Sequence, residues 1–212
     1  MNTKEINFNH FGILASIDWN TNLWKGLPTD EDLRQSKFGF TQDNNLTYTF
    51  LNFDIDHVED QEFIHSGLAP HIHSRNPQPE YKNSIKIIFL KSTSYHDGQS
   101  YIVGYYSFPE IKNHNIPSPF PEFCPELECC MTSKVKNIQL FDNFINIQTD
   151  CNGDKLLPSN RRLGLRGYNY LNFHNVDYIL KTAILKNPNN EKLKQNQSRI
   201  VLYAHNQKLL NL

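Results

Sequence analysis

Ser84-Ile-Lys-Ile-Ile-Phe-Leu90 and Tyr101-Ile-Val-Gly-Tyr-Tyr-Ser-Phe108 decide the fold class of this chain. Both runs are dense in β-branched and aromatic residues, and the stretch between them holds Asp97-Gly98, a turn dipeptide. They read as two adjacent antiparallel strands. Working outward, Phe11 to Ile17 and Thr47 to Phe53 read as further strands, Val135 to Ile147 as one or two more, and Arg199 to Tyr203 as the last. Helices are few. Thr29 with Asp32 three residues on forms a capping box opening a short helix that ends near Lys37. Val58 to His65 reads as a helical turn. Val176, Ile179, Leu180, Ala183 and Ile184 mark one amphipathic helix, with Asn175 as its cap and Asn187-Pro188 as its stop. Leu68 to Tyr81, with Pro70, Pro77 and Pro79, reads as a loop. The expectation is an α+β domain, a curved mixed sheet or open barrel with helices at its rim, over residues 1–187. Residues 188–212 read as a C-terminal extension or linker toward a possible effector domain.

Composition supports one ordered domain. In 212 residues, 14 Phe, 10 Tyr and 2 Trp are too many rings for a disordered chain, and charged residues make up only 20%. No apolar run reaches the roughly 18 residues of a membrane span, and Met1-Asn2-Thr3-Lys4-Glu5 lacks the layout of a signal peptide. A cytoplasmic protein with no membrane partner is expected. The net charge of −1 hides an asymmetry. Residues 1–150 hold 11 Lys+Arg and 19 Asp+Glu, a balance of −8, whereas residues 151–212 hold 10 and 3, a balance of +7. A basic C-terminal third suits either an anionic polymer or the packing of two complementary halves.

Cys124, Cys129, Cys130 and Cys151 have neither disulfide-framework nor C-x2-C spacing, so a reducing compartment is expected and zinc is not. His71 and His73 with Glu80 resemble the metal-binding strand of cupins. The prolines around them favour a polar loop instead, and no metal or other cofactor is expected. A cupin-like, metal-dependent enzyme stays open as an alternative. The chain has no nucleophile elbow, no phosphate-cradling glycine loop and no His-Glu-x-x-His, so no catalytic residue is named. Asn113 to Pro125, with Phe120 and Phe123 among four prolines, reads as a rigid extended loop. A protein-interaction module with a Pro/Phe-rich docking loop at Pro117 to Pro125 is a further alternative.

The rings and the basic segment carry more. Trp19 and Trp24 flank a polar run beside Asp18, Asn20 and Asn22, an odd setting for core indoles and a suitable one for holding a flat ligand. Lys155, Arg161, Arg162 and Arg166 precede Tyr168-Asn169-Tyr170. Arginine forks take two phosphate oxygens at once, and Tyr and Asn can stack on a base and bond its edge.

With the strand Ile85 to Phe89, the Tyr101-Ile-Val-Gly-Tyr-Tyr106 motif, Trp19 and Trp24 near the start, and the late loop Gly164 to Tyr170 ahead of a helix, the chain resembles the EVE/YTH-like domains of the PUA superfamily. These stand at the N-termini of Mcr-type modification-dependent restriction proteins. The resemblance spans about residues 8–186. It implies a module that binds double-stranded DNA carrying a modified base, 6-methyladenine or 5-methylcytosine for example, flipped into an aromatic cage. Base binding would fall to Trp19, Trp24, Tyr106 and Phe108, with Phe120 and Phe123 as further ring candidates and Asp18, Asn20 and Asn169 at the base edge. Lys155, Arg161, Arg162 and Arg166 would hold phosphate. It also implies no catalysis in this domain, any nuclease or NTPase being a separate effector domain or subunit. The acidic N-terminal region and the long cysteine-bearing loop depart from the family pattern.

Overall fold

The strand pair expected from the sequence organises the molecule. In a computed structural model, which describes residues 6–54, 62–66, 82–153, 156 and 167–210, β3 (Ile87–Thr93) lies antiparallel to β4 (Ser100–Ser107). β1 (Gly12–Ser16) runs parallel to β3 on its other side. β7 (Ile138–Asn146) and β8 (Tyr168–Leu171) close the edges, giving the order β7-β4-β3-β1-β8. A second sheet has the order β2-β6-β5, from β2 (Phe63–Ser66), β5 (Glu110–Pro117) and β6 (Glu126–Lys134). The class is α+β with two sheets, and among the described residues there is no closed barrel.

Two cores sandwich the five-stranded sheet. On one face, Leu14, Ile87, Phe89 and Tyr105 pack under α3 (Phe173–Lys186) and α4 (Glu191–Leu210). On the other, Ile13, Ala15, Ile88 and Leu90 meet Ile64, Cys130 and Met131 of the second sheet. Alternation along β1 and β3 feeds both cores, which is why these strands read as continuous apolar runs. The glycine of the Tyr101 to Tyr106 motif has a physical reason. A Cβ on Gly104 would overlap the Gln139 carbonyl oxygen and sit 2.6 Å from the Phe53 ring. All four cysteines are buried and none is in a disulfide, and burial pushes the Cys129 thiol up to about 12 and that of Cys151 up to about 11. They are inert packing groups.

Several elements differ from the sequence reading. Arg199 to Tyr203 is helical, part of α4. Leu193, Asn196, Ile200 and Ala204 form one buried stripe at helical spacing, and Asn196 interrupts its apolar pattern while donating to the Lys136 carbonyl at 3.2 Å. Residues 188–210 are therefore not a linker: Leu193, Ile200 and Ala204 share a core with Ile179, Leu180 and Ala183 of α3. Asn172, not Asn175, caps α3, accepting from the Asn175 amide at 2.8 Å. Thr47 to Phe53 forms no strand, and residues 50–53 make a turn, with Asn52 and Asp54 amides bonded to the Thr49 and Leu51 carbonyls. Phe63–Ser66, at the end of the expected helical turn, is β2. The capping box is present, with Thr29 and Asp32 bonded reciprocally at the start of α1 (Asp30–Arg34). α2 (Gly39–Asn44) follows. Phe120 and Phe123 do not stand free but pack on Phe50, with centroids 6.0 and 5.3 Å away. No helix among the described residues is long and apolar enough to cross a membrane.

Candidate functional site

β1 and β3 run parallel, so their carboxyl ends finish side by side, and the chain leaving β1 must cross that end before entering α1. The segment from residue 17 to 29 does this with little regular structure. It is stapled by Asn20, whose Oδ1 accepts from the Asn22 amide at 2.7 Å and whose Nδ2 donates to the Gly26 carbonyl at 3.3 Å. Leu23 and Trp24 both have positive φ, 58° and 55°, a conformation that costs non-glycine residues of order 1–3 kcal/mol each. The Trp24 anchor offsets this. Its ring is fully buried, its indole N–H donates to the Asp18 carbonyl at 2.8 Å, and its own carbonyl accepts from the Phe53 amide at 2.9 Å.

The crossing leaves a cavity of about 450 Å³ at the carboxyl ends of β1 and β3, the place where open sheets commonly take ligands. Ser16 and Lys91 line it from the strands, Asp18 and Trp19 from the crossing segment, Asp32 and Ser36 from α1 and the turn after it. The size falls within the roughly 300–1,000 Å³ of small-ligand sites.

Its polar groups fall into two sets. Asp18 and Asp32 are held by the protein. Asp18 Oδ1 accepts from Ser36 Oγ, and Oδ2 accepts from Thr41 Oγ1 at 2.9 Å and Thr47 Oγ1 at 2.7 Å. Burial pushes the Asp18 carboxyl above its ordinary value, against the pull of those three hydroxyls, with nearby Asp32 adding to the rise. This network holds the Thr47 side chain against Asp18. Asp32 Oδ2 accepts from the Thr29 amide and hydroxyl and from Thr21 Oγ1, each at 2.9 Å, and Oδ1 accepts from Tyr95 at 3.2 Å. The capping box thus also fixes the cavity wall.

The second set has no protein partner. Trp19 is half-buried, its ring packed edge-on to Trp24 and Phe144 at 5.8 and 6.3 Å, and its buried indole N–H has no hydrogen-bond acceptor. Lys91 is only 5% exposed and lines the cavity, and none of the described residues accepts a hydrogen bond from its ammonium or pairs with it. Burial holds its pKa below the ordinary lysine value. The backbone is irregular here: the pairing of β3 with β4 slips between Leu90 and Lys91, leaving Val103 as an extra residue on β4. Bulges commonly re-aim a side chain beside a site.

The other sequence-picked residues divide clearly. Trp24 and Tyr106 are fully buried core, the Tyr106 hydroxyl bonded to the Asn52 carbonyl, so neither walls the cavity. Phe108 lies against α4, 5.7 Å from the Tyr203 ring with the Arg199 guanidinium 5.3 Å from its own centroid. Asn20 is consumed by its turn. Asn169 is buried on β8 opposite Leu14 and is not among the cavity residues. Only Asp18 and Trp19 of the expected base-binding set meet at one place. Lys155, Arg161, Arg162 and Arg166 lie outside the described residues, as do His71, His73 and Glu80. Among the described residues no three His, Cys, Asp or Glu side chains are grouped to hold a metal ion. Sequence reasoning missed Lys91 and Ser36. The signal for Lys91 was a lone cation closing the apolar run Ile87 to Leu90, a pattern shared with any solvated strand end.

No family model, no curated protein and no solved structure matches this chain.

Proposed function

We propose that this chain is a non-catalytic recognition module that takes a modified base, flipped from duplex DNA, into the cavity at the carboxyl ends of β1 and β3. The observation that carries the reading is Trp19: an aromatic wall of a cavity of about 450 Å³, beside a fixed carboxylate. A flat heterocycle supplies ring surface to that wall. Stacking and edge hydrogen bonds offset the few kcal/mol that unstacking costs. The site is one indole and a polar rim in place of the cage of several rings that the family resemblance implies.

The parallel β1 and β3 pair, the helices after β1 and the motif on β4 support the finer assignment to a PUA-superfamily, EVE/YTH-like fold. Lys155, Arg161, Arg162 and Arg166 remain the proposed phosphate contacts. Arg166 directly precedes, in sequence, Gly167, which lines the cavity. In this reading the module works in the cytoplasm as the specificity part of a restriction or phage-defence system, and a nuclease or NTPase effector domain or subunit does the cutting.

The test is fluorescence anisotropy with labelled duplexes, unmodified or carrying 6-methyladenine, 5-methylcytosine or 5-hydroxymethylcytosine, at one fixed salt concentration. One modified duplex should bind tighter than the unmodified one, and Trp19→Ala should weaken that binding roughly tenfold or more, as expected for one lost stacking partner. Equal binding to all four duplexes, unchanged by Trp19→Ala, would overturn the reading.

A further inference from the structure

Lys91 is out of place as a structural residue. It is 5% exposed, it sits one step past the slip in β3 pairing, and it lines the cavity with Asp18 and Trp19. No described side chain or carbonyl satisfies its ammonium. Lysines this little exposed are commonly paired within the protein, whereas the Lys91 ammonium is left to the cavity. The two carboxylates of the lining do not serve as its partners: three hydroxyls occupy Asp18, and α1 and the Thr21 turn occupy Asp32. The fold therefore carries a cation donor whose acceptor is not part of this chain's described structure. Such a group lowers stability, and a residue that lowers stability inside a cavity is characteristic of a binding site.

We infer that Lys91 is the specificity-determining residue of the cavity, and that its ammonium takes the exocyclic carbonyl oxygen of the bound base. This rests on the base-binding reading above and goes beyond it by naming a ligand class. Cytosine, thymine and guanine each carry such an oxygen, whereas adenine offers only ring nitrogens and an amine. The Trp19 ring walls the same cavity, so the ammonium is the donor that a base edge bearing an acceptor would complement. The carbonyl oxygen is the stronger acceptor for a buried ammonium. A base without it leaves Lys91 unpaired in the complex, and sites built to hydrogen-bond one group reject analogues that lack it. On this account 6-methyladenine is a poor ligand and a modified base bearing a carbonyl is the preferred one.

Lys91→Met tests this, since the unbranched thioether keeps the length of the side chain and removes the donor. Thermal unfolding is recorded for wild type and variant, alone and with millimolar 5-methyl-2′-deoxycytidine, thymidine, 2′-deoxyguanosine or 6-methyl-2′-deoxyadenosine. Without ligand the variant should unfold about 2–4 °C higher than wild type, because an unpaired buried charge has gone. With ligand, at least one carbonyl-bearing nucleoside should raise the wild-type midpoint more than the adenosine does, and the variant should lose that preference. In duplex titrations the same change should weaken binding of the preferred modified duplex roughly tenfold or more. A lower midpoint for the variant, an adenosine preference, a preference that survives Lys91→Met, or no nucleoside effect on wild type would each overturn the inference. Nucleoside selectivity without any binding of modified duplexes would leave the role of Lys91 standing and sink the duplex reading instead.

Discussion

Two concave sites of similar size are lined by described residues, and they differ in whether their polar groups satisfy one another. The groove on the three-stranded sheet, about 400 Å³, is lined by Phe63, His65, Thr132, Glu110, Lys112 and His114. Its imidazoles are partnered. His114 Nδ1 lies 2.9 Å from the Lys112 carbonyl, which can only accept, so in a neutral ring Nε2 is the acceptor, and it takes the proton of His65 Nδ1 at 2.7 Å. Thr132 Oγ1 stands 3.1 Å from the same His65 nitrogen. The cavity of about 450 Å³ between β1, β3 and α1 instead fixes its acceptors firmly and leaves the Lys91 ammonium without a protein partner. Concavity alone does not mark a site. What separates the two is unmet hydrogen-bonding capacity inside a rigid frame, which a ligand completes and a closed pair does not need.

That contrast can be broken at the frame, at the donor or at the groove. The largest effect is expected at the frame. Trp24→Ala removes a fully buried indole that holds two positive-φ residues in place, and should cost about 3–5 kcal/mol in urea unfolding. Trp19→Ala, at a half-buried position, should cost roughly 1–2 kcal/mol while weakening binding of the modified duplex. Equal losses of stability would erase the distinction between anchor and wall. Asp18→Ala comes next. It strands the hydroxyls of Ser36, Thr41 and Thr47 and should lower unfolding stability by about 2–3 kcal/mol, measured against Asp18→Asn, which keeps one acceptor.

A smaller effect is expected from pH. The folded-state pKa of Lys91 lies below 10.5. Between that depressed value and 10.5 the unfolded chain holds a proton that the folded chain has released, so stability rises with pH across this window. Lys91→Met has no such proton. Its stability advantage over wild type should therefore shrink as pH climbs toward 10.5, in paired unfolding curves that hold constant the other charged groups of the cavity, Asp18, Asp32 and Lys37. An advantage that grows with pH would contradict the assigned burial of a charged lysine. The smallest effect belongs to the groove. His114→Ala should cost no more than about 1 kcal/mol and leave duplex affinity unchanged; a loss of affinity would move the site to the other sheet.

Much of the fold was legible because it rests on local patterns. The β3 and β4 pair, β1 and the Thr29 capping box follow from β-branched runs and cap spacing. α4 was not, because Arg199 to Tyr203 in isolation has strand composition and only the stripe through Leu193, Asn196 and Ala204 makes it helical. The site was half legible. Trp19 and Asp18 stood out through their setting, but Trp24, in the same polar run, turned inward, since nothing in sequence distinguishes an indole that anchors a crossing segment from one that walls a cavity. Lys91 was hidden for a different reason. Its role depends on a slip of register between two strands, a property of the pairing that neither strand carries alone.

The central claim is tested most directly by intrinsic fluorescence, because Trp19 and Trp24 are the only two indoles of the chain and only Trp19 lines the cavity. The chain is titrated with matched modified and unmodified duplexes, alongside Trp19→Phe. The account predicts emission quenched by the preferred modified duplex, far less by the unmodified one, and the quenching lost in Trp19→Phe, as a base stacks on that ring. Binding of modified duplex with no change in emission, or quenching that survives Trp19→Phe, would contradict it.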